Sequence, residues 1–177
     1  MKLDAVTTEI LPGALALLLA LGRGENGFGG TPVGDDPEKL DEWLDYCVHL
    51  STAPALSEDF GPQANYWIRD DSGQVVGLVR LRPHINAQWL EGGGHLGYYV
   101  APAYRRRGFG KAGLRLALAE LRAWGVERAL VTVEVGNVPS SRVVASVGGV
   151  LEDERVDAET GRAYWRFWLD TGVADPA

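Results

Sequence analysis

The sequence predicts an α/β fold with a mixed, largely antiparallel sheet, on the strength of two patterns. First, polarity alternates with a period of two in two pairs of neighbouring segments, 65–69 with 75–81 and 150–156 with 163–169. Such alternation, broken by a turn, is typical of an antiparallel hairpin. Second, one apolar strand–helix–strand unit lies between the pairs, and such a unit needs a crossover connection. Hairpins on either side of one crossover indicate a mixed sheet with helices packed on it.

The segments before the first hairpin are predicted to contain one short strand and two helices. Residues 3–6 alternate in polarity, and residues 11–21 form an apolar run that ends at Gly22. From Pro37 onward, apolar residues recur at the spacing of an amphipathic helix: Leu40, Trp43, Leu44, Cys47 and Val48. The segment between the helices, GRGENGFGGTPVGDDP, is predicted to be a loop. Cys47 falls on the apolar stripe, so we expect it to fill space in the core rather than to react.

The crossover unit consists of a strand at 95–100, a helix at 108–124 and an apolar strand at 129–135. The helix ends at a glycine, and the second strand is β-branched and apolar, as expected for a buried strand that follows a crossover. A short helix is predicted over 139–147, before two glycines and the closing hairpin.

Composition excludes several classes of function. The formal charge of -7 and the pI near 4.9 oppose nucleic-acid binding outside a local basic patch. A single cysteine cannot form an internal disulfide and offers no zinc pair, so no metal site is expected. The early apolar run is shorter than the roughly 20 residues that span a bilayer. We therefore expect a cytoplasmic protein with no membrane or nucleic-acid partner, made of one domain at 1–170 and a C-terminal tail at 171–177.

The strongest functional signal is YRRRGFGKAG, residues 104–113. Its glycines match the G-x-G-x-x-G of a dinucleotide-binding turn, and Glu134 follows at about the spacing of the ribose-binding acid. However, residues 101–107, including Pro102, separate the preceding strand from the first glycine, so the tight turn of that motif is missing. A Walker phosphate loop also fails, because Ala112 stands where a hydroxyl would bind the metal.

A third interpretation combines the glycines with the basic side chains. Glycines at a helix start let consecutive amides turn toward one anion, and the helix dipole adds about half a positive charge there. Four side chains supply further charge: Arg105, Arg106, Arg107 and Lys111. The loop thus suits a pyrophosphate with another phosphate nearby, and the alternative is a solvated basic turn with a glycine cap.

Two segments resemble the GNAT superfamily of acyl-coenzyme A dependent N-acetyltransferases. GYYVAPAYRRRGFGKAGLRLAL is similar to its central motif, with Arg105, Gly108 and Gly110 on the fixed positions. NVPSSRVVASVGGVLE is similar to its second coenzyme segment, which begins at an Asn, here Asn137. The whole layout looks closest to bacterial GNAT proteins of unassigned substrate. The resemblance implies a GNAT-type twisted sheet with a central strand-loop-helix motif that binds coenzyme.

The resemblance also implies an activity and its coenzyme residues. Acetyl-CoA would be the co-substrate, and a primary amine of a small molecule or peptide would attack it directly; the alternative is an acyl-CoA binding module of the same fold without catalysis. The resemblance leaves open whether the protein forms a homodimer. The implied coenzyme-binding residues are Tyr98, Tyr99, Val100, Arg105, Arg106, Arg107, Gly108, Phe109, Gly110, Lys111, Asn137 and Ser140.

The catalytic groups implied by the resemblance are less definite. The family's usual tyrosine, seven residues after the Asn, is replaced by Val144, so the general acid is open among Ser140, Ser141, Tyr98, Tyr99 and solvent. A base glutamate found in some relatives is replaced by Thr132, and Glu134, two residues on, projects from the same face. Glu134 is the first candidate base and His95 the second, since histidine titrates near neutral pH.

The sequence gives little information about the acceptor substrate. An acidic cluster precedes and enters the second helix, where it either attracts a cationic amine or is simply the solvated face: Asp35, Asp36, Glu38, Asp41, Glu42 and Asp45. Trp43, Trp67 and Trp89 either line a pocket or belong to the core.

Overall fold

The computed structural model describes residues 1–52, 63–158 and 160–172. Residues 173–177 of the predicted tail lie outside them. The strands are β1 Lys2–Ala5, β2 Gly24–Glu25, β3 Phe28–Gly29, β4 Ala64–Arg69, β5 Val75–Leu81, β6 Leu96–Val100, β7 Arg128–Glu134, β8 Val150–Val156 and β9 Ala163–Asp170. The helices are α1 Ala14–Leu21, α2 Leu40–Thr52, α3 Ala87–Gly92, α4 Phe109–Ala123 and α5 Val138–Ser146.

The strands form two larger sheets and one small hairpin. One sheet has the order β1-β4-β5-β6 and the other the order β7-β9-β8, and the pairing inside both is antiparallel. The crossover from β6 through α4 to β7 connects them. This combination of hairpins with one crossover confirms the predicted α/β fold class.

Helices cover the first sheet on both faces, and each face has its own core. On one face, α4 packs its buried stripe against β4 and β5: Leu114, Ala117, Leu118 and Leu121. A Cβ on Gly113 would lie 2.6 Å from Cδ1 of Ile68, so the glycine permits this close helix–strand approach. On the other face, α1 and α2 cover Trp67 and Leu78. Cys47 is buried there, and burial raises the pKa of its thiol to about 12, as a space-filling role requires.

Two elements differ from the sequence prediction. The loop after α1 contains the hairpin β2–β3, closed by Asn26 and Gly27, whose φ angles are +50° and +81°. Two successive positive φ angles are typical of a type I′ turn, for which Asn-Gly is the preferred pair. The short helix α3 lies between β5 and β6, where Asn86 caps it by accepting from the amide of Trp89 at 2.9 Å.

Candidate active site

The candidate site is a gap between β6 and β7. The two strands approach each other at their beginnings, where Gly94 forms a bridge to Val131 and the amide of His95 donates to the carbonyl of Leu130 at 2.8 Å. Beyond that bridge, no strand pairing joins β6 to β7 within the described residues. The first and second sheets therefore separate at this point and leave one edge of β6 unpaired.

The unpaired edge exposes main-chain groups of residues 98–100. Alternate residues of an antiparallel strand direct their amides and carbonyls toward the same neighbour. Because the amide of Ala101 bonds to Val76 on β5 at 3.0 Å, the amides of Tyr98 and Val100 point away from β5 and into the gap. This edge can therefore hold an extended ligand that carries amide groups.

The glycine-rich loop lies at the end of this edge. α4 begins directly after Gly108, whose φ is +86°, and Arg106 has a φ of +60°, which is uncommon for a residue with a side chain. Left-handed residues next to right-handed ones turn successive amides toward one anion. No side chain caps this end of α4, so the amides of its first turn are available to a ligand.

The basic side chains of the loop divide into two groups. Arg105 donates from Nε to the carbonyl of Val100 at 2.9 Å, and from its terminal nitrogens to Glu25 on β2 at 2.9 and 2.6 Å. Its side chain is therefore engaged by protein groups. Arg106 and Arg107 are exposed and Lys111 is half-buried, so these three can reach outer phosphates.

A tyrosine and a serine lie close together on the side of the gap that faces α4 and α5. The hydroxyl groups of Tyr98 and Ser140 lie 3.0 Å apart, which connects β6 to the first turn of α5. Asn137 caps α5 by accepting from the amide of Ser140 at 3.2 Å. A Cβ on Gly110 would lie 3.3 Å from Cε2 of Tyr98, so this glycine leaves room for the ring. Burial raises the pKa of Tyr98, and the hydrogen bond between its hydroxyl group and that of Ser140 opposes this shift.

Two other residues of α5 lie away from that contact. Val144, at the family's tyrosine position, is fully buried in the core beneath the helix. Ser141 donates to the carbonyl of Val138 within its own helix at 3.0 Å. The structure thus brings Ser140 to β6, whereas a catalytic role for Ser141 stays a prediction with no contact that favours it.

Glu134 occupies the open end of β7. Its side chain is 29 % exposed, and Oε1 lies 3.9 Å from Nε of Arg162. The β2–β3 turn passes in front of it, because a Cβ on Gly27 would lie 4.0 Å from Cβ of Glu134. Thr132, two residues earlier, donates to the carbonyl of Gly93 at 3.2 Å at the closed end. Of the two positions, Glu134 is the one that faces the hairpin side of the gap.

His95 lies at the closed end of the gap. It is 8 % exposed, and its Nδ1 accepts from the amide of Leu130 at 3.0 Å. Burial, with a smaller contribution from His84, lowers its pKa to about 4. A neutral ring whose Nδ1 is already bonded suits a link between the two sheets, so its role as a base stays a prediction.

The hairpin β2–β3 covers the face of the gap opposite α4. The ring of Phe28 stacks on Tyr99 with centroids 6.1 Å apart, and a Cβ on Gly97 would lie 3.2 Å from Phe28. Arg80 on β5 donates to the carbonyls of Gly29 and Gly30 at 2.8 and 3.3 Å. Glu25, Phe28 and Arg80 thus belong to the site although sequence reasoning missed them, and the Asn-Gly pair was the available signal for the hairpin.

A cavity of about 290 Å³ lies beside Arg80, between α2 and the sheet. It is lined by Gly30, Pro32, Glu42, Trp43, Tyr46, Cys47, Gln63, Asn65 and Arg80. Within the predicted acidic cluster, Asp35 pairs with Arg23 at 2.9 Å, and Asp36 caps a short 3-10 turn. Of that cluster, the cavity lining includes Glu42.

The described residues contain neither a cluster of metal-ligand side chains nor a membrane-spanning helix. Among the described residues, no three side chains of His, Cys, Asp or Glu come together as metal ligands would. No helix in the described part of the chain is long and apolar enough to cross a membrane.

Comparison with known proteins identifies the family. A model of the "Acetyltransferase (GNAT) family" matches residues 33–148, which include α2, the β6–α4–β7 crossover and α5. The chain belongs to the GNAT acetyltransferase family. GNAT enzymes use acetyl-CoA as co-substrate, and this chain is accordingly an acyltransferase. The family predicted from the two motifs is confirmed.

Solved GNAT structures show the same fold. A chimera of the spermidine N-acetyltransferase SpeG from Vibrio cholerae with hSSAT has a TM-score of 0.67 at 18 % identity, covering 96 % of this chain and 95 % of its own. A ribosomal-protein-S5-alanine acetyltransferase from Vibrio fischeri has a TM-score of 0.65 at 14 % identity, covering 98 % and 94 %. A search of curated proteins found no match. At these identities the likeness concerns the GNAT fold and not the acceptor.

Proposed function

We propose that the protein transfers the acetyl group of acetyl-CoA to a primary amine of a small molecule or peptide, by direct attack of the amine on the thioester. One observation carries the proposal. The unpaired edge of β6, residues 98–100, leads within a few residues to an uncapped helix start that follows Gly108. A ligand with an extended, amide-containing arm and a pyrophosphate at its end fits this order of binding groups, first the free amides of β6 and then those at the start of α4.

The residues present fit the coenzyme in three places. The amides of Tyr98 and Val100 offer donors to the amide-rich arm, since they have no partner across the gap in the described residues. The amides that begin α4 suit the pyrophosphate. The side chains of Arg106, Arg107 and Lys111 suit an outer phosphate, whereas that of Arg105 holds Glu25.

The acid and base follow from position. Acetyl-CoA, when bound, supplies an activated acetyl thioester. The amide of Val100 is the donor aimed where a carbonyl oxygen would gain negative charge. Glu134 faces the hairpin side of the gap and is the group that accepts the amine proton, directly or through water. Tyr98 keeps its proton at neutral pH because burial raises its pKa, so it can protonate the leaving thiolate, with Ser140 as its hydrogen-bond partner.

A second candidate function rests on Val144. Because the family's usual tyrosine position is fully buried valine, a protein that binds acetyl-CoA without turnover is the alternative. The role of Tyr98 distinguishes the transferase from the binding protein, since we assign to Tyr98 the protonation of the thiolate that the family's usual tyrosine would perform.

The test combines binding with transfer. Thermal unfolding is measured with acetyl-CoA, free CoA and NADH, and transfer is followed as thiol release with a panel of amines. A ligand at a hundred times its Kd adds about 2.7 kcal/mol, a shift of several degrees for this size of domain. We expect acetyl-CoA to raise the midpoint of thermal unfolding and NADH to leave it unchanged. We also expect thiol release when acetyl-CoA is mixed with an amine that the enzyme accepts. Tyr98→Phe is expected to lower kcat about 100-fold with the acetyl-CoA shift unchanged.

Tyr66→Phe is the matched control, because Tyr66 is another partly buried tyrosine of the same sheet. An acetyl-CoA shift without thiol release from any amine would favour the binding module. Absence of the shift in a folded protein would overturn both candidates.

A further inference from the structure

Two arginines on β5 and its extension lack the carboxylate partner that buried arginines normally have. Arg80 and Arg82 are two residues apart, so their side chains project from the same face of the strand. Both are partly buried, and neither has an ion pair among the described residues. By contrast Arg69, Arg105 and Arg166 each contact at least one carboxylate within 3.0 Å.

Within the described residues, the contacts that these two arginines make leave both guanidinium groups without a carboxylate partner. Arg80 donates to two backbone carbonyls and lies 4.4 Å from the ring centroid of Phe28. Arg82 lies 3.8 Å from the ring centroid of Trp89, and its buried Nε has no hydrogen-bond partner among the residues that the structure describes. Burial lowers the pKa of Arg80, and burial together with the charge of Arg80 lowers that of Arg82 to about 10.

Such an arrangement is costly unless a ligand completes it. A buried charge without a partner strongly destabilises a fold, and buried charges are therefore normally paired. Two guanidinium groups on one face offer a fork of donors that matches the oxygens of a carboxylate or phosphate. The pair thus has the chemistry of an anion site.

The position of the pair connects it to the transfer reaction. Arg80 pairs in register with Gly97, the residue before Tyr98, and adjacent strands lie about 5 Å apart. Arg80 is also on the hairpin face, together with Phe28 and Tyr99, and strand alternation places Arg82 on the same face, next to Trp89 of α3. An anionic group held there lies a few bonds away from an amine placed in the gap.

The cavity beside Arg80 also offers a place for a polar group of the acceptor. Asn65, which is opposite Arg80 on β4, is 4 % exposed, and its Oδ1 has no hydrogen-bond partner within residues 1–52, 63–158 and 160–172. The oxygen lines the cavity and can accept from a ligand donor. Glu42 is on the α2 side of the cavity and is exposed, so it does not neutralise Arg80.

We propose that the acceptor amine carries an anionic group, a carboxylate or a phosphate, which Arg80 and Arg82 bind on the hairpin face of the site. This inference rests on the proposed acetyl transfer and names its substrate class. It separates the chain from the structurally similar spermidine acetyltransferases, because a polyamine would bring further positive charge beside two guanidinium groups that have no carboxylate partner in the described part of the chain.

The test compares acceptors that differ in the anionic group. The pairs are 4-aminobutyrate with butylamine, alanine with alaninamide, and O-phosphoethanolamine with ethanolamine, with putrescine as a dication. We expect kcat/KM for the anionic member of at least one pair to exceed that of its partner by about 10- to 100-fold. The phosphate pair and the carboxylate pairs distinguish the two kinds of anion.

Substitutions assign that preference to the arginines. Arg82→Met is expected to reduce the preference to within about threefold, with an unchanged KM for acetyl-CoA. Arg80→Met is expected to act in the same way, but Arg80 also holds the hairpin, so Arg82 is the decisive variant. Arg128→Met is the control, since Arg128 also lies over a tryptophan, Trp168, with 5.1 Å to the ring centroid.

Each result bears on one proposal. A preference for the neutral or dicationic amines, or a preference that Arg82→Met leaves intact, overturns the anion site while acetyl transfer stands. If no amine of the panel is acetylated, thermal shifts with the same anions in the presence of CoA replace the rates. A shift that Arg82→Met removes supports the site, and no shift with any anion overturns it. Loss of the acetyl-CoA shift itself instead refutes the proposed function.

Discussion

The two sides of the gap between β6 and β7 are built from different parts of the chain and from different kinds of group. The proposed coenzyme side offers main-chain amides of β6 and of the start of α4, with glycines that shape the loop. The proposed acceptor side offers side chains from the β2–β3 hairpin, β5 and β7. Main-chain groups are the same in any sequence, so one loop geometry suffices for a common co-substrate. Side chains vary freely, and the acceptor side can therefore differ between proteins of one fold.

The largest effect is expected on the acceptor side, from Glu134→Gln. Loss of the base is expected to lower kcat about 100- to 1,000-fold, because proton transfer from the amine then depends on water. The acetyl-CoA shift in thermal unfolding should stay as in the wild type, since Glu134 lies outside the coenzyme side. Thiol release measured at saturating acetyl-CoA reports the change.

Glu127→Gln is the control, as Glu127 is an exposed carboxylate just before the same strand. Equal rates for the wild type and Glu134→Gln would remove Glu134 from the mechanism. A loss of acetyl-CoA binding in Glu134→Gln would contradict the division between the two sides.

The next effect is expected on the coenzyme side, from Gly108→Glu. A carboxylate at the start of α4 repels phosphate, and we expect acetyl-CoA affinity to fall about 100-fold. The measurement is the midpoint of thermal unfolding as a function of acetyl-CoA concentration. A Cβ at Gly108 meets no atom within 4 Å, so the substitution adds backbone strain but no clash.

Gly125→Glu provides the same strain at the other end of the helix. Gly125 has a φ of +83° and also has open space around its Cβ position. Similar destabilisation of both variants, with acetyl-CoA binding lost in Gly108→Glu alone, is the expected pattern. If Gly125→Glu lost binding equally, strain rather than the anion site would be the cause.

The smallest effect concerns the closed end of the gap, which both sides share. The pKa of His95 is about 4 in the folded chain, below its usual value of 6.5. The unfolded chain therefore binds a proton more readily, so this histidine's contribution to stability is complete above pH 6.5 and is lost as the pH falls toward 4. At pH 5 the loss is about 2 kcal/mol.

Urea unfolding at pH 7.5 and pH 5.0 tests this. In His95→Gln the difference in unfolding free energy between the two pH values should be smaller than in the wild type by about 2 kcal/mol. His49→Gln, at an exposed position of α2, should keep the wild-type difference. An unchanged pH dependence in His95→Gln would mean that the ring is accessible to protons in the folded state.

The fold and the shape of the glycine-rich loop could be predicted because local signals define them. The period-two segments fixed both large hairpins, and the glycines near residue 108 fixed the start of α4, since positive φ restricts the residue type there. The cap of α5 by Asn137 followed from residue type alone. The register of the sheets and the gap between them arise from long-range pairing that no local pattern contains.

The acceptor side and the partner of Arg105 could not be predicted, for three physical reasons. Strands of two residues, as in β2 and β3, are too short to show a period. The arginine pair occupies alternate positions of an otherwise apolar strand, and a sequence does not tell whether a carboxylate lies opposite. The side chain of Arg105 was predicted near phosphate, but a glutamate far away in sequence engages it.

Arg105 has a consequence for how the two substrates influence each other. Its one guanidinium group bonds both the carbonyl of Val100, on the edge where the coenzyme would bind, and the carboxylate of Glu25, on the hairpin that covers the acceptor. A shift of that edge is thus transmitted to the hairpin through a single side chain. Under the proposed function, we therefore expect the affinity for each substrate to depend on whether the other is already bound.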